Sequence, residues 1–114
     1  MLNQIVLVGR VVKKPELREA DNHNKYCFMT LAVPRSFKNM NGEYDTDFIE
    51  CTLWDQVASC TVEYCDKGDI VGVRGRLQTR TVEKDNTKKY LLEVIVEKIN
   101  FLTSNKEADA KNEE

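Results

Sequence analysis

Apolar and polar residues alternate along TDFIECTLW, residues 46–54. On an extended strand, Ile49, Cys51 and Leu53 share one face, and Phe48, Glu50, Thr52 and Trp54 share the other. The first set is a core stripe. The second mixes polar groups with two large aromatics, which suits neither a wholly buried strand nor a plain solvent face. Strand-like patterns also run through LNQIVLVGRVV (2–12), YCFMTLAVPRSF (26–37), DIVGVRGRLQTRT (69–81) and KYLLEVIVEKINFL (89–102). Between them the period changes once. In DQVASCTVEYCDKG, 55–68, Val57, Cys60, Thr61 and Tyr64 recur at i, i+3, i+4 and i+7, which predicts one helix. Asp55 is its expected N-cap, and Gly68 its left-handed terminator.

The connections carry their own signals. Pro15 excludes a central strand from KKPELREADNHNK, and Pro34 implies an edge position or a break near the end of the second strand. NMNGEYD, 39–45, contains Asn-Gly and predicts a turn or long hairpin loop, and Asp85-Asn86 is the expected tip of a charged hairpin. The order is three strands, one helix, two strands, the connectivity of an OB-fold, a five-stranded Greek-key barrel. A flat α+β sheet is the alternative. Internal glycines at 9, 72 and 75 favour the barrel, because they allow bulges where a sheet bends sharply.

Composition narrows the class. A chain of 114 residues is enough for one domain with a modest core, expected over residues 1–102, followed by a short acidic disordered tail at 103–114. No 18-residue apolar run predicts a membrane span, and MLNQIVLVGR lacks the pattern of a signal peptide, so a cytoplasmic protein is expected. Cys27, Cys51, Cys60 and Cys65 form no C-x-x-C pair, and His23 lies far from them in sequence. They are expected as structural thiols rather than metal ligands or disulfides. The net charge of −2 is located in the tail, where Lys106 and Lys111 stand against Glu107, Asp109, Glu113 and Glu114. Residues 1–102 balance at 15 basic and 15 acidic side chains. A balanced domain binds a polyanion when its basic groups share one surface.

Two patterns suggest such a surface. In the fourth strand Val71, Val73, Gly75, Leu77 and Thr79 alternate with Arg74, Arg76, Gln78 and Arg80, and arginine suits both phosphate forks and stacking on bases. Phe48 and Trp54 lie six residues apart, about 20 Å at strand rise. That distance suits separate platforms under an extended run of bases rather than one small ligand. Phe37, between Arg35 and Lys38, is a third candidate. The chain carries neither G-x-x-x-x-G-K-[ST] nor G-x-G-x-x-G, and no metal spacing. Two carboxylates beside a turn, Asp45 and Asp47, are an ordinary solvated pair, so no catalytic role and no cofactor are expected.

LNQIVLVGRV at the start, K-x-P-E-L-R at 13–18, TLAVPRSF at 30–37, ECTLW at 50–54, EYCDKG at 63–68 and VRGRLQTR at 73–80 together resemble bacterial single-stranded DNA-binding proteins. The resemblance runs in order through residues 1–102. It implies an OB-fold, assembled as a homotetramer, that wraps single-stranded DNA without strong sequence preference in replication, recombination or repair. It also implies base stacking by Phe37, Phe48 and Trp54, and basic contacts from Lys67 and Arg80. The full expected contact set adds Arg10, Arg35, Lys38, Arg74 and Arg76. Three departures stand out. Val82 replaces an aromatic found in some members, Glu50 stands where a basic residue would help more, and the sequence closes KNEE instead of the acidic Pro-Phe tip that docks partners. Recruitment through the C-terminus is therefore not expected. Two other readings of the same face are an RNA-binding or adaptor OB-fold, and a protein scaffold that buries Phe48 and Trp54 between subunits.

Overall fold

The computed structural model describes residues 2–103. Its strands are β1 (Ile5–Val11), β2 (Arg18–Glu19), β3 (Lys25–Lys38), β4 (Tyr44–Trp54), β5 (Ile70–Lys84) and β6 (Thr87–Thr103), with the helix α1 (Asp55–Tyr64) between β4 and β5. The sheet order is β1-β5-β6-β4-β3-β2, and β1 also pairs with β3 at Arg10–Ala32 and Val11–Leu31. That second pairing closes the five long strands into a barrel, so the fold is an OB-fold and not a flat sheet. Neighbouring strands pair antiparallel except β4 and β6, which meet in parallel at Cys51–Val94 and Thr52–Ile95. The two-residue strand β2 is an addition to the expected five. Both of its residues are exposed and it is too short to show a period.

Alternation places the core where it was expected. Cys27, Met29 and Leu31 of β3, Cys51 and Leu53 of β4, Val71 and Val73 of β5, and Val94 and Val96 of β6 are buried together with Val11. Cys27, Cys51 and Cys65 behave as small apolar side chains. Burial pushes the Cys27 thiol up to about 11, and pushes Cys51 and Cys65 up to about 12, with nearby carboxylates adding to the last two.

The helix corrects the expectation in three ways. Of the predicted face Thr61 is buried and Val57 packs against the core, while Ala58, Val62 and Cys65 complete the inner side in place of Cys60 and Tyr64. Tyr64 is exposed and its ring lies 6.3 Å from that of Phe101. The N-cap is Trp54, without a side-chain cap bond, and Asp55 opens the helix at φ 50. Gly68 is left-handed at φ 92 but lies past the helix, in a turn tied to β1 by its N–H donating to the Val11 carbonyl at 2.8 Å. The short apolar run 57–65 contains too few residues to choose between adjacent faces, so the barrel mouth decides.

Turns follow their chemistry. Asp85 and Asn86 both have positive φ, 52 and 63, as a two-residue hairpin turn requires, and the ladder continues up to Lys84–Thr87. The Asn39 carboxamide accepts from the N–H groups of Asn41 and Glu43, closing the β3–β4 hairpin. The ladder shifts register between Pro34 and Lys38, the break that proline implied. β6 ends at Thr103, the first residue of the segment expected as tail; expectations for 104–114 lie outside the described residues. No helix among the described residues is long and apolar enough to cross a membrane.

Bending of the β5–β6 ladder concentrates at two register shifts, one beside Gly75. A Cβ built there would run into the carbonyl oxygen of Ile95, a backbone atom that cannot step aside. Gly75→Ala is expected to lower stability by about 1–3 kcal/mol, as overpacking does. Urea unfolding checks this, and an unchanged midpoint would mean that β6 does not press on this position.

Candidate nucleic-acid interface

The β3–β4 register gathers the polar and aromatic positions of both strands on one outer face. Tyr26 faces Trp54 across the ladder, Phe28 faces Thr52, Thr30 faces Glu50, and Ala32 faces Phe48. The Tyr26 and Trp54 rings lie 5.3 Å apart at 38°, and Tyr26 meets Phe28 edge-on at 5.4 Å. The Arg80 guanidinium sits over Phe28 at 5.3 Å from the ring centroid. Trp54, Tyr26, Phe28 and Arg80 therefore form a continuous path, not one isolated platform. Phe48, 66% exposed, stands at the other end of the face, and Trp54 is 39% exposed. Tyr26 and Phe28 escaped the sequence reading, although KYCFMTL alternates aromatic and core positions just as DFIECTLW does.

Thr52 departs from its expected outward setting. It is 3% exposed, because β6 reaches β4 at this point and covers it. Its hydroxyl donates to Glu93 Oε2 at 2.6 Å, and the same carboxylate oxygen lies 3.8 Å from Arg80 Nε. Glu50 accepts from the Thr30 hydroxyl at 3.2 Å, and among the described residues it has no ion pair. A hydroxyl, and not a cation, is what holds this carboxylate.

The arginine row of β5 is divided by its neighbours. Arg74 lies in the part of the strand that pairs with β1, between Val6 and Lys98. Arg76 donates to Gln78 at 3.2 Å and lies 3.6 Å from Glu97. Arg80 alone joins the aromatic path. Arg10 stands in one ladder row with Ala32 and Phe48, and its guanidinium donates to the Gly68 carbonyl at 2.9 Å, next to the exposed Lys67. Phe37 is 64% exposed in the β3–β4 hairpin, where Lys38 lies 5.9 Å over the Tyr44 ring. Arg35 forks onto Asp47, with Nη2 at 3.0 Å, and lies 3.8 Å from Asp45. The hydrogen bond from Arg35 holds the Asp47 carboxyl below its usual range, and the same bond raises Arg35.

A second basic group reaches the aromatic path from the β1–β3 connection. Lys13, Lys14 and Arg18 line a groove of about 240 Å³ together with Glu16, Phe28 and Thr30, and Lys14 lies 4.0 Å from Asp66. Lys13 and Arg18 belong to the K-x-P-E-L-R motif and Lys14 stands at its variable position; the sequence does not place them at the site, because a polar connection gives no periodic signal. The face thus offers π surfaces bordered by cations, an arrangement suited to stacking bases and neutralising phosphates.

Residues 2–102 match the model of the single-strand binding protein family. The chain is 45% identical over 103 residues to single-stranded DNA-binding protein B of Bacillus subtilis (strain 168), covering 90% of this chain and 91% of that one. It is 42% identical over 109 residues to single-stranded DNA-binding protein 1 of Clostridium acetobutylicum, covering 94% and 99%. Against the single-stranded DNA-binding protein of Bacillus cereus the identity is 44% over 103 residues, 90% of this chain and 61% of the longer relative.

The Thr52–Glu93 bond lies beneath this face. Glu93 is 8% exposed, so removing its donor leaves a desolvated carboxylate short of one partner. Thr52→Val is expected to cost about 1–3 kcal/mol of stability, and Thr52→Ser to keep most of it. Equal urea midpoints for the two variants would assign the cost to packing instead.

Proposed function

The chain belongs to the single-strand binding protein family, and from that membership we propose that it binds single-stranded DNA without strong sequence preference, in replication, recombination or repair. The observation that carries this reading is the continuous Trp54–Tyr26–Phe28–Arg80 path on the outer face of β3 and β4. Every base has a π face, so stacking on such a path is indifferent to sequence and contributes roughly 1–3 kcal/mol per base. Phe48 and Phe37 extend the platform along the two strands. Lys13, Lys14, Arg18 and Arg80 meet the phosphates of the central stretch. Arg10 and Lys67 serve one flank, Arg35 and Lys38 the β3–β4 hairpin, and Arg74 and Arg76 the barrel wall. Arg80 and Arg35 are held by Glu93 and Asp47 in the free protein, so a phosphate must displace or share a carboxylate to reach them. No bond is made or broken in this role, which is one of binding and not catalysis.

Assembly as a homotetramer is part of the same proposal. β1 pairs with β3 at Arg10 and Val11, and β3 also lies against Gly9, so residues 5–8 leave one edge of the strand open to another chain. On the adjoining outer wall Val8 and Leu102 come together over Gly72, which has no side chain to separate them, and Val6 is exposed one row on, beside Arg74. An open edge beside these exposed apolar side chains suits a second copy of the chain better than water.

The chain has one tryptophan, so its emission reports on the site directly. Oligo-dT is expected to quench Trp54, with an affinity that falls as salt rises and with weak competition from duplex. Phe48→Ala is expected to weaken binding by about 1–3 kcal/mol. An unchanged emission at saturating oligonucleotide would sink the reading. A Phe48→Ala protein that changes mass but not affinity would move Phe48 to a subunit interface.

Light scattering checks the assembly separately. The unaltered chain is expected at four copies, and Val8→Glu at fewer. A monomeric mass for the unaltered chain would remove the tetramer.

A further inference from the structure

Stacking leaves one feature of the face unused. β4 and β6 touch at Cys51–Val94 and Thr52–Ile95 and then diverge, and a cleft of about 420 Å³ opens between them. Its apolar lining includes Ile5, Phe48, Leu77 and Leu92, and two acidic residues, Glu50 and Glu93, also border it. That volume is ample for one nucleobase.

Glu50 follows Phe48 by two residues on the same face, roughly 7 Å along the strand. This is close to the half-width of a base plus one hydrogen bond. A base stacked on Phe48 therefore brings its edge to the Glu50 carboxylate. Thr30 holds Oε1 of that carboxylate, while Oε2 makes no hydrogen bond among the described residues. Glu93 is already bound to Thr52 and lies near Arg80, so Glu50 is the carboxylate open to a ligand.

An ionised carboxylate only accepts hydrogen bonds. Cytosine, adenine and guanine each carry an amino group on the edge away from the sugar and donate to it. Thymine presents its single N–H between two carbonyl oxygens, whose lone pairs face the carboxylate. We propose that Glu50 is a specificity-determining residue that selects amino-bearing bases over thymine at the Phe48 platform. The proposal rests on the single-strand reading above. The charge of Glu50 also repels phosphate, but it does so equally for every base. The discrimination therefore appears in the ratio between two polymers, where the repulsion cancels.

Oligo-dT and oligo-5-methyl-dC of one length isolate this edge, since they share the methyl group and differ at positions 3 and 4 of the ring. Both are titrated by Trp54 emission against the full chain, Glu50→Gln and Glu50→Ala. Glu50 is exposed, so neither substitution disturbs the core. Both variants are expected to bind oligo-dT more tightly. In Glu50→Ala the affinity for 5-methyl-dC relative to dT is expected to fall about three- to tenfold, the range of one hydrogen bond. In Glu50→Gln, whose amide both donates and accepts, it is expected to fall as well. An unchanged ratio in both variants, with binding intact, overturns the role of Glu50 and leaves stacking standing. An unaltered chain whose emission responds to no oligonucleotide overturns the single-strand reading itself, and this proposal with it.

Discussion

The register of β3 against β4 couples the interior of the barrel to its outer aromatic face. Because side chains alternate, the pairing that seats Leu53 beside Cys27, Cys51 beside Met29 and Ile49 beside Leu31 also sets Trp54 beside Tyr26 and Glu50 beside Thr30. A slip of one residue would send Phe28 and Tyr26 inward and expose Met29 and Cys27. Core burial therefore selects the same register that assembles the aromatic path. The face needs no separate device to hold it, apart from the ring contacts and the Thr30–Glu50 bond that lie on it.

Several arginines around the barrel are held in ion pairs rather than standing bare. Arg80 lies near Glu93, Arg35 forks onto Asp47, and Arg76 lies near Glu97. Such pairs keep guanidinium groups ordered. Each also sets a competition, since a phosphate gains only the difference between itself and the carboxylate it displaces. Arg35 and Asp47 are both solvent-accessible, so water screens their attraction and exchange is cheap. Glu93 is nearly buried and keeps its Thr52 bond, so Arg80 can turn to a phosphate without leaving that carboxylate unpartnered. The balanced net charge of the domain thus conceals cations that are preorganised and replaceable.

Much of this was legible in the residues, and the failures have physical causes. Five strands, the single helix, the Asp85-Asn86 tip and the buried thiols follow from period and turn chemistry, which are local properties. Thr52 could not be placed from β4 alone, because a chain-distant strand covers it. The division of the arginine row has the same origin: β1 and β6 provide Val6, Lys98 and Glu97 as neighbours, and alternation along β5 is silent about them. Tyr26 and Phe28 were different. Their alternation with Cys27 and Met29 was visible, and only the partnership of the two strands shows that it builds one surface.

The exposed apolar side chains divide by location, and the division explains how so small a barrel carries so many. Phe28, Phe48 and Trp54 lie on the outer face of β3 and β4. Val6, Val8 and Leu102 lie on the wall beside the open edge of β1. Leu77, Tyr90 and Leu92 lie on the β5–β6 hairpin, beyond the last residue of β5 that β1 reaches. There the alternation that fills the core continues into a two-stranded arm with no opposite wall. Leu77 is nevertheless anchored, since the Asn3 carboxamide exchanges two hydrogen bonds with its backbone, at 2.9 and 3.0 Å. That clamp fixes the root of the arm where it forms one side of the cleft facing Phe48. On the far side of that cleft Leu77 and Leu92 of the hairpin stand against Phe48 and Ile49 of β4, so the arm and the barrel share one apolar lining.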